Sequence, residues 1–377
     1  MSKHVPAPVG LPVDGREQPT VEGWTFPARN PATGEVLWQV PDAGPADVDA
    51  ALTAARRAFD ATPWSTDSTM RVAAVRAFRA ALEDRADDLA LLLAAETGVP
   101  VALREDHVDR PIAELRAVPR RLQAGVTVVV TPATSPLAVA LEEIGRVLLA
   151  GGTVVLKPAV EAASAALEIG RIALDHLPRG VLNVVTTRDV DVAIALTLDR
   201  RVDEVVVAGS AVVGDRVKAV AHRPGTRVRV TVGGPRQVRA GGADMASLVA
   251  EAARAVAANA GQAPWVPSSV VVPAFRYAEA RAAAVEAMAA VAVGDPTSPE
   301  TLCGPLRSAV ARDRVLRYVA LAESERADVA LGGRRLDRPG WWVEPTVIGG
   351  VAADSRLVVE EVLGPVLMLV PDASARA

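Results

Sequence analysis

Val256–Val272 reads VAANAGQAPWVPSSVVV, and the fold turns on it. An Ala-rich helix, Leu248–Ala260, runs into Asn259-Ala260-Gly261-Gln262. A turn-prone Ala263-Pro264-Trp265 follows, and the apolar run Val270–Val272 has the pattern of a buried strand. Helix, glycine turn and strand make a platform that can aim one side chain into a cleft. This turn presents no nucleophile, because neither Pro264 nor Trp265 can attack an electrophile.

The flanking sequence repeats the strand and helix alternation. Upstream, the spacing predicts strands at Val126–Val130, Thr153–Leu156, Val181–Val185, Glu204–Val207 and Arg227–Val232. Helices fall between them: Pro136 to Leu149, Ala162–His176, Val190–Leu198 and Ala211–Ala221. Segments of this length in this order imply a parallel sheet with helices on both faces. Nearer the start, Asn30–Glu35 is a turn cluster before a strand at Val36–Val40. Ala46–Ala61 and Met70–Ala95 read as amphipathic helices, the second stopped by Glu96-Thr97-Gly98. Leu103–Leu122 reads as one helix interrupted near Pro111 and Pro119. Downstream the alternation resumes, with loops at Gly294-Asp295-Pro296 and Gly304-Pro305-Leu306. An edge-like strand begins at Trp341, and a last strand spans Val366–Val370.

At 377 residues the chain is long enough for two domains with a sizeable core. Its net charge of -4 argues against nucleic acid or an anionic membrane as the main partner. No apolar run is long enough to span a bilayer, and the first twenty residues lack the apolar core of a secretory signal. A cytoplasmic location is the resulting expectation. The single cysteine, Cys303, excludes a disulfide framework, and four histidines scattered without ligand spacing make no metal site.

Eleven short motifs carry a resemblance. In order they are NPATGE (30–35), ETG (96–98), VVLKPA (154–159), PRGVLNVV (178–185), GS-x-x-x-G (209–214), VGG (232–234), NAGQ (259–262), VGDP (293–296), GPL (304–306), EPTVI (344–348) and EEVLGPV (360–366). Singly they are weak, but as an ordered set from about Asn30 to Val370 they resemble the aldehyde dehydrogenase superfamily. The resemblance implies an α/β fold. A Rossmann-type, parallel-sheet cofactor-binding domain would span 1–233, after a loose lead-in over 1–25, and an α/β catalytic-type domain would span 234–377.

The family's cofactor is NAD or NADP. The resemblance places Gly209, Ser210 and Gly214 at the helix N-terminus that receives a pyrophosphate. It places Lys157 at the adenosine ribose and Glu361 at the nicotinamide ribose. Two usual contacts are absent, since Val160 replaces an acidic residue and Leu363 an aromatic one. The plainer reading of Gly209 and Gly214 is close helix–strand packing.

The family's chemistry needs a thiolate, oxyanion donors and a carboxylate to activate water. The corresponding positions are Pro264 for the cysteine, Thr231 for the glutamate base and Thr134 for the oxyanion asparagine. Proline also lacks the N–H that would be the second oxyanion donor. Losing a covalent nucleophile costs on the order of 10⁶ in kcat, and losing one oxyanion donor roughly 10² to 10³. Cys303 lies in a loop that the family uses structurally, and is expected to be a semi-buried thiol.

Relative to the family, Gly98–Pro132 is too short for a two-stranded excursion, and the final strand is not reached. Together these would leave the oligomerisation flap missing and an apolar surface or strand edge open. The resulting expectation is a catalytically silent homologue serving as an accessory or scaffolding subunit, its partner an active enzyme of aldehyde metabolism. The alternative is an enzyme that uses the old cleft, lined by Thr134, Thr231, Gln262 and Trp265, for non-thiol chemistry on a small metabolite.

Overall fold

The computed structural model describes residues 7–115, 124–209 and 225–375. Ser210, Gly214 and the helix expected at Ala211–Ala221 lie outside them. The chain divides into two compact units. The first comprises Met1–Arg29, Val36–Glu96 and Arg104–Val232, and the second Asn30–Glu35, Thr97–Leu103 and Gly233–Ala377.

The first unit begins with two hairpins, β1 (Leu11–Val13) with β2 (Arg16–Gln18) and β3 (Thr25–Arg29) with β4 (Val36–Pro41). The lead-in expected to be loose over 1–25 therefore holds the first hairpin. All of β1 is buried, and a Cβ built on Gly170 would meet Pro12 at 2.6 Å. Helices α1 (Pro45–Ala61), α2 (Ser68–Asp84), α3 (Ala86–Thr97) and α4 (Arg110–Glu114) follow. The sheet strands then alternate with helices: β5 (Val126–Val130), α5 (Pro136–Leu149), β6 (Thr153–Lys157), α6 (Ala163–Ala173), β7 (Leu182–Val184), α7 (Val190–Leu198), β8 (Glu204–Gly209) and β9 (Arg227–Val232).

The sheet order is β7-β6-β5-β8-β9, and every pairing is parallel. A parallel sheet is covered on both faces. That is why β5, β6 and β8 each bury their first four residues in succession instead of alternating. Helices α1 and α5 pack on β5 and β6, and α6 packs on β7.

The helices upstream differ from the sequence pattern in two places. Met70–Ala95 is not one helix, because Arg85 leaves helical geometry (φ -107°, ψ 12°) and separates α2 from α3. Arg85 instead pairs with Asp88 and with Glu168 on α6. Of the helix expected over Leu103–Leu122, residues 116–122 with Pro119 lie outside the described ones, and the described part is not broken at Pro111. A single π turn, Glu105–Asp109, runs into α4, and Pro111 occupies the first turn, where its missing N–H costs nothing.

The second unit holds β10 (Gln237–Arg239), α8 (Met245–Ala257), β11 (Ser269–Pro273), α9 (Tyr277–Ala289), α10 (Ala309–Ser324), β12 (Asp328–Leu331), β13 (Thr346–Gly349), α11 (Arg356–Val359) and β14 (Val366–Asp372). The order is β10-β11-β14-β13-β12, parallel except for β12 against β13. Its core joins Met245, Val249, Val270, Val315, Leu367 and Leu369. The strand expected to begin at Trp341 and lie at an edge begins at Thr346, buried between β12 and β14. The edges are β12 and β10, and all three residues of β10 are exposed.

Two upstream motifs belong to this unit. Trp341 N–H donates to the Pro31 carbonyl (2.9 Å) and Trp342 Nε1 to that of Ala32 (3.0 Å). Gly98 meets the GPL loop so closely that a Cβ on Gly304 would sit 2.2 Å from its carbonyl oxygen.

Candidate functional site

In the second unit the decisive stretch is a left-handed turn. After α8, Asn259, Ala260 and Gly261 adopt φ of 50°, 50° and 67°. A left-handed residue costs roughly 1 to 2 kcal/mol when it has a Cβ, so the turn must be held from outside. Asn259 N–H donates to the Leu302 carbonyl (2.9 Å). Gln262 Nε2 donates to the carbonyls of Asn259 (3.3 Å) and Pro305 (3.2 Å), and its Oε1 accepts the Arg307 N–H (3.0 Å). Only glycine fits at 261, because a Cβ there would lie 1.9 Å from the Gly364 oxygen. NAGQ and EEVLGPV thus meet backbone to backbone.

Pro264 stands in the turn Ala263–Val266, closed by a 3.4 Å bond from the Val266 N–H to the Ala263 carbonyl. Its fixed φ suits the second position of such a turn. It is exposed, as is Trp265 at 42 %. Beside this turn is a pocket of about 20 Å³, lined among others by Gly234, Gly261, Ala263, Ser268, Glu361 and Leu363. It has room for about one water. The Glu361 carboxylate faces the backbone of Gly233, where a Cβ would approach its Oε1 to 2.8 Å. Burial pushes the Glu361 carboxyl above the usual carboxylate range, against the pull of Arg314 and Arg307. Cys303 is not semi-buried but wholly enclosed, and desolvation pushes its thiol to about 12. A neutral, enclosed thiol is chemically inert.

In the first unit the remaining positions gather at the carboxyl ends of the strands. β5 has β6 on one side and β8 on the other, which makes the switch point at which open α/β sheets bind ligands. Lys157 ends β6, paired in register with Val130. Its carbonyl accepts the Thr131 N–H (3.1 Å), and the Ala159 N–H returns to the Thr131 carbonyl (3.0 Å). Burial lowers the Lys157 pKa, while Glu161 and Asp42 pull it back up. Its ammonium has no hydrogen-bond partner among the described residues.

Gly209 ends β8 opposite Val232, and among the described atoms nothing lies within 4 Å of a Cβ built on it. The residues that follow it, as far as 224, lie outside the described ones. Thr134 is half-buried in the loop before α5, next to Ser135, whose φ is 51° and whose buried Oγ has no hydrogen-bond partner among the described residues. Thr231 lies on β9 opposite Ala208 and is exposed.

One feature of this end was not legible in the sequence. Asp42, 8 % exposed, accepts the Arg188 N–H (2.9 Å) and Arg188 Nε (3.0 Å). With Trp24, Thr25, Ala43 and Asp189 these two residues line an open depression of about 500 Å³. Asp42 and Arg188 are 146 residues apart, and no local pattern announces the pair. Among the described residues no group of His, Cys, Asp or Glu is placed to hold a metal, and no helix is long and apolar enough to cross a membrane.

A doubly wound parallel sheet, followed in the same chain by a second α/β unit built around a glycine turn, defines the class of two-unit α/β proteins. The aldehyde dehydrogenase family model matches residues 20–124 and 115–375. Geranial dehydrogenase of Castellaniella defragrans is 31% identical over 370 residues, spanning 90% of this chain and 77% of its own. The NAD-dependent aldehyde dehydrogenase of Sinorhizobium meliloti superposes with a TM-score of 0.90 at 28% identity, over 97% of this chain and 78% of that one. A mutant of the indole-3-acetaldehyde dehydrogenase of P. syringae, with one cysteine changed to alanine, in complex with NAD+ and IAA, gives 0.91 at 28% identity, over 99% and 81%. The chain belongs to the aldehyde dehydrogenase family.

Proposed function

We propose that this chain is a family member without the thiol-dependent oxidation, that it serves as an accessory or scaffolding subunit of a partner enzyme, and that its first unit still receives NAD or NADP. Pro264 carries the reading. The resemblance assigns this position to the nucleophile, and proline supplies neither a thiol nor an N–H. The chain's one cysteine is no substitute, being enclosed in the core with its thiol pushed to about 12. Thr231 cannot act as a carboxylate base, and Thr134 offers a shorter donor than asparagine.

The nucleotide part rests on the donor set of the first unit, which fits. The Lys157 ammonium, without a hydrogen-bond partner among the described residues, and Gly209 lie at the strand ends where a dinucleotide binds. When bound, the nicotinamide ring supplies a hydride acceptor. The protein's part is to hold the adenosine end and orient the cofactor. The cysteine-to-alanine relative in complex with NAD+ indicates that this fold does not need every cysteine to hold the cofactor.

The purified chain, incubated with a panel of aliphatic and aromatic aldehydes and either NAD+ or NADP+, is expected to form no reduced nicotinamide above the enzyme-free rate. Turnover proportional to protein concentration would overturn the reading. The single variant Pro264→Cys is also expected to remain silent in steady state, because Thr231 and Thr134 still lack the base and the donor.

A second reading, non-thiol chemistry in the old cleft, gains one observation: Glu361 is a carboxyl of raised pKa beside a water-sized pocket, as a general base would need. Gln262 counts against it, since both ends of its amide are already engaged. A small metabolite that changes indole emission in the parent chain but not in Trp265→Phe would favour this reading.

A further inference from the structure

We propose that the first unit carries a site for a small zwitterion of the amino acid class, in the open depression bounded by Trp24, Thr25, Asp42, Ala43, Arg188 and Asp189. Arg188 takes the carboxylate, Asp189 the ammonium, and the Trp24 ring the apolar body. The depression holds about 500 Å³, within the range of about 300–1,000 Å³ usual for small-molecule sites.

Arg188 is anchored in one orientation. Its backbone N–H (2.9 Å) and its Nε (3.0 Å) both donate to Asp42, and its guanidinium lies 5.4 Å from the centroid of the Phe26 ring. The two terminal nitrogens have no hydrogen-bond partner among the described residues, and the side chain is 54% exposed. A planar fork held this way is matched by a carboxylate, which accepts two parallel N–H bonds from it.

Charge decides what else the ligand carries. Asp42 cancels Arg188. Asp189 accepts the N–H groups of Asp191 (2.8 Å) and Val192 (3.3 Å) with Oδ1 alone, and its Oδ2 has no hydrogen-bond partner among the described residues. The lining therefore sets two aspartates against one arginine. Glu22 adds to the negative side, since a Cβ on Gly44 would meet both Glu22 and Trp24 at 3.5 Å. Asp47, nearby, is buried and committed to the N–H groups of Val21 and Gly44. The depression thus offers a donor fork within a net negative surround. A plain carboxylic acid gains the fork against repulsion, and a plain amine leaves the fork unused. A ligand with both groups satisfies both. Trp24, 53% exposed, gives a face to the apolar body and, through its quadrupole, to the ammonium.

The test is calorimetric titration of the full chain with L-phenylalanine, 3-phenylpropionate and 2-phenylethylamine, which share a body and differ in their charged groups. L-phenylalanine is expected to bind tightest, by about tenfold or more over each of the others. Asp189→Asn keeps a side-chain oxygen to cap α7 but loses the charge. It should weaken L-phenylalanine and strengthen 3-phenylpropionate, closing the gap between them. Arg188→Gln should close the gap between L-phenylalanine and 2-phenylethylamine, and Trp24→Ala should weaken all three. Thermal melts show whether each variant is folded, and Asp189→Asn tests the idea with the Arg188–Asp42 pair intact. Equal affinities for the three probes, or no saturable heat up to about 10 mM of any, would overturn the proposal. An unchanged gap in Asp189→Asn would overturn the assignment of the ammonium to Asp189. The titration is expected to be the same in excess NAD+ or NADP+. Loss of L-phenylalanine binding there would make the depression part of the nucleotide site and overturn its independence.

Discussion

Glu96 shows what a single buried residue contributes beyond its motif. Its two carboxylate oxygens accept the N–H groups of Ser164 (2.8 Å) and Ala165 (3.1 Å) at the start of α6, 68 and 69 residues away. Ser164 Oγ in turn accepts from Trp38 Nε1 (2.8 Å). Burial outweighs these bonds and raises the Glu96 pKa from 4.5 to about 7. A carboxyl raised on folding binds its proton more tightly in the native state. Its contribution is therefore complete below about 4.5 and is lost as pH rises through about 7. The loss is on the order of 3 kcal/mol for a shift of this size. The wild type should thus lose melting temperature between pH 5 and pH 8 relative to Glu96→Gln, whose amide does not titrate. Parallel curves for the two proteins would show that Glu96 is ionised throughout. In the sequence Glu96 was visible only as part of a helix stop, because its partners come from another element.

Elements show where local patterns succeed and where packing overrides them. The Val-rich strands of both sheets were legible from composition, since a strand buried on both faces must be apolar throughout. The break at Arg85 was not, because no Gly or Pro marks it; the chain turns there to pair Arg85 with Glu168. The hairpin of β1 and β2 was missed for a related reason: its short strands are stabilised by the buried seat against Gly170. On β13, Gly349 lies against the Tyr277 hydroxyl of α9, which a Cβ would approach to 2.0 Å. Gly349→Ala should destabilise the second unit by about 1–3 kcal/mol through overpacking, measured by urea unfolding. Adding Tyr277→Phe removes the obstructing oxygen and should recover a large part of that loss. A double-mutant cycle with no coupling would mean that the strand, not the tyrosine, yields.

For the whole molecule, the accessory-subunit reading makes a prediction about assembly. Tagged chain purified from its native cells should carry a second protein at fixed stoichiometry, read by intact mass and sedimentation. A chain that emerges alone and monodisperse would move the function to the cleft itself. The sequence by itself determined the family, the alternation that makes two α/β units, and the identities of Pro264, Thr231 and Thr134. Those follow from residue order and period, which are local quantities. Only the tertiary structure decided which groups meet: Asp42 with Arg188, Gly261 with Gly364, Glu96 with the start of α6. Their separations run from 68 to 146 residues, and side chains so far apart are brought together by core packing, on which the local pattern around each residue is silent.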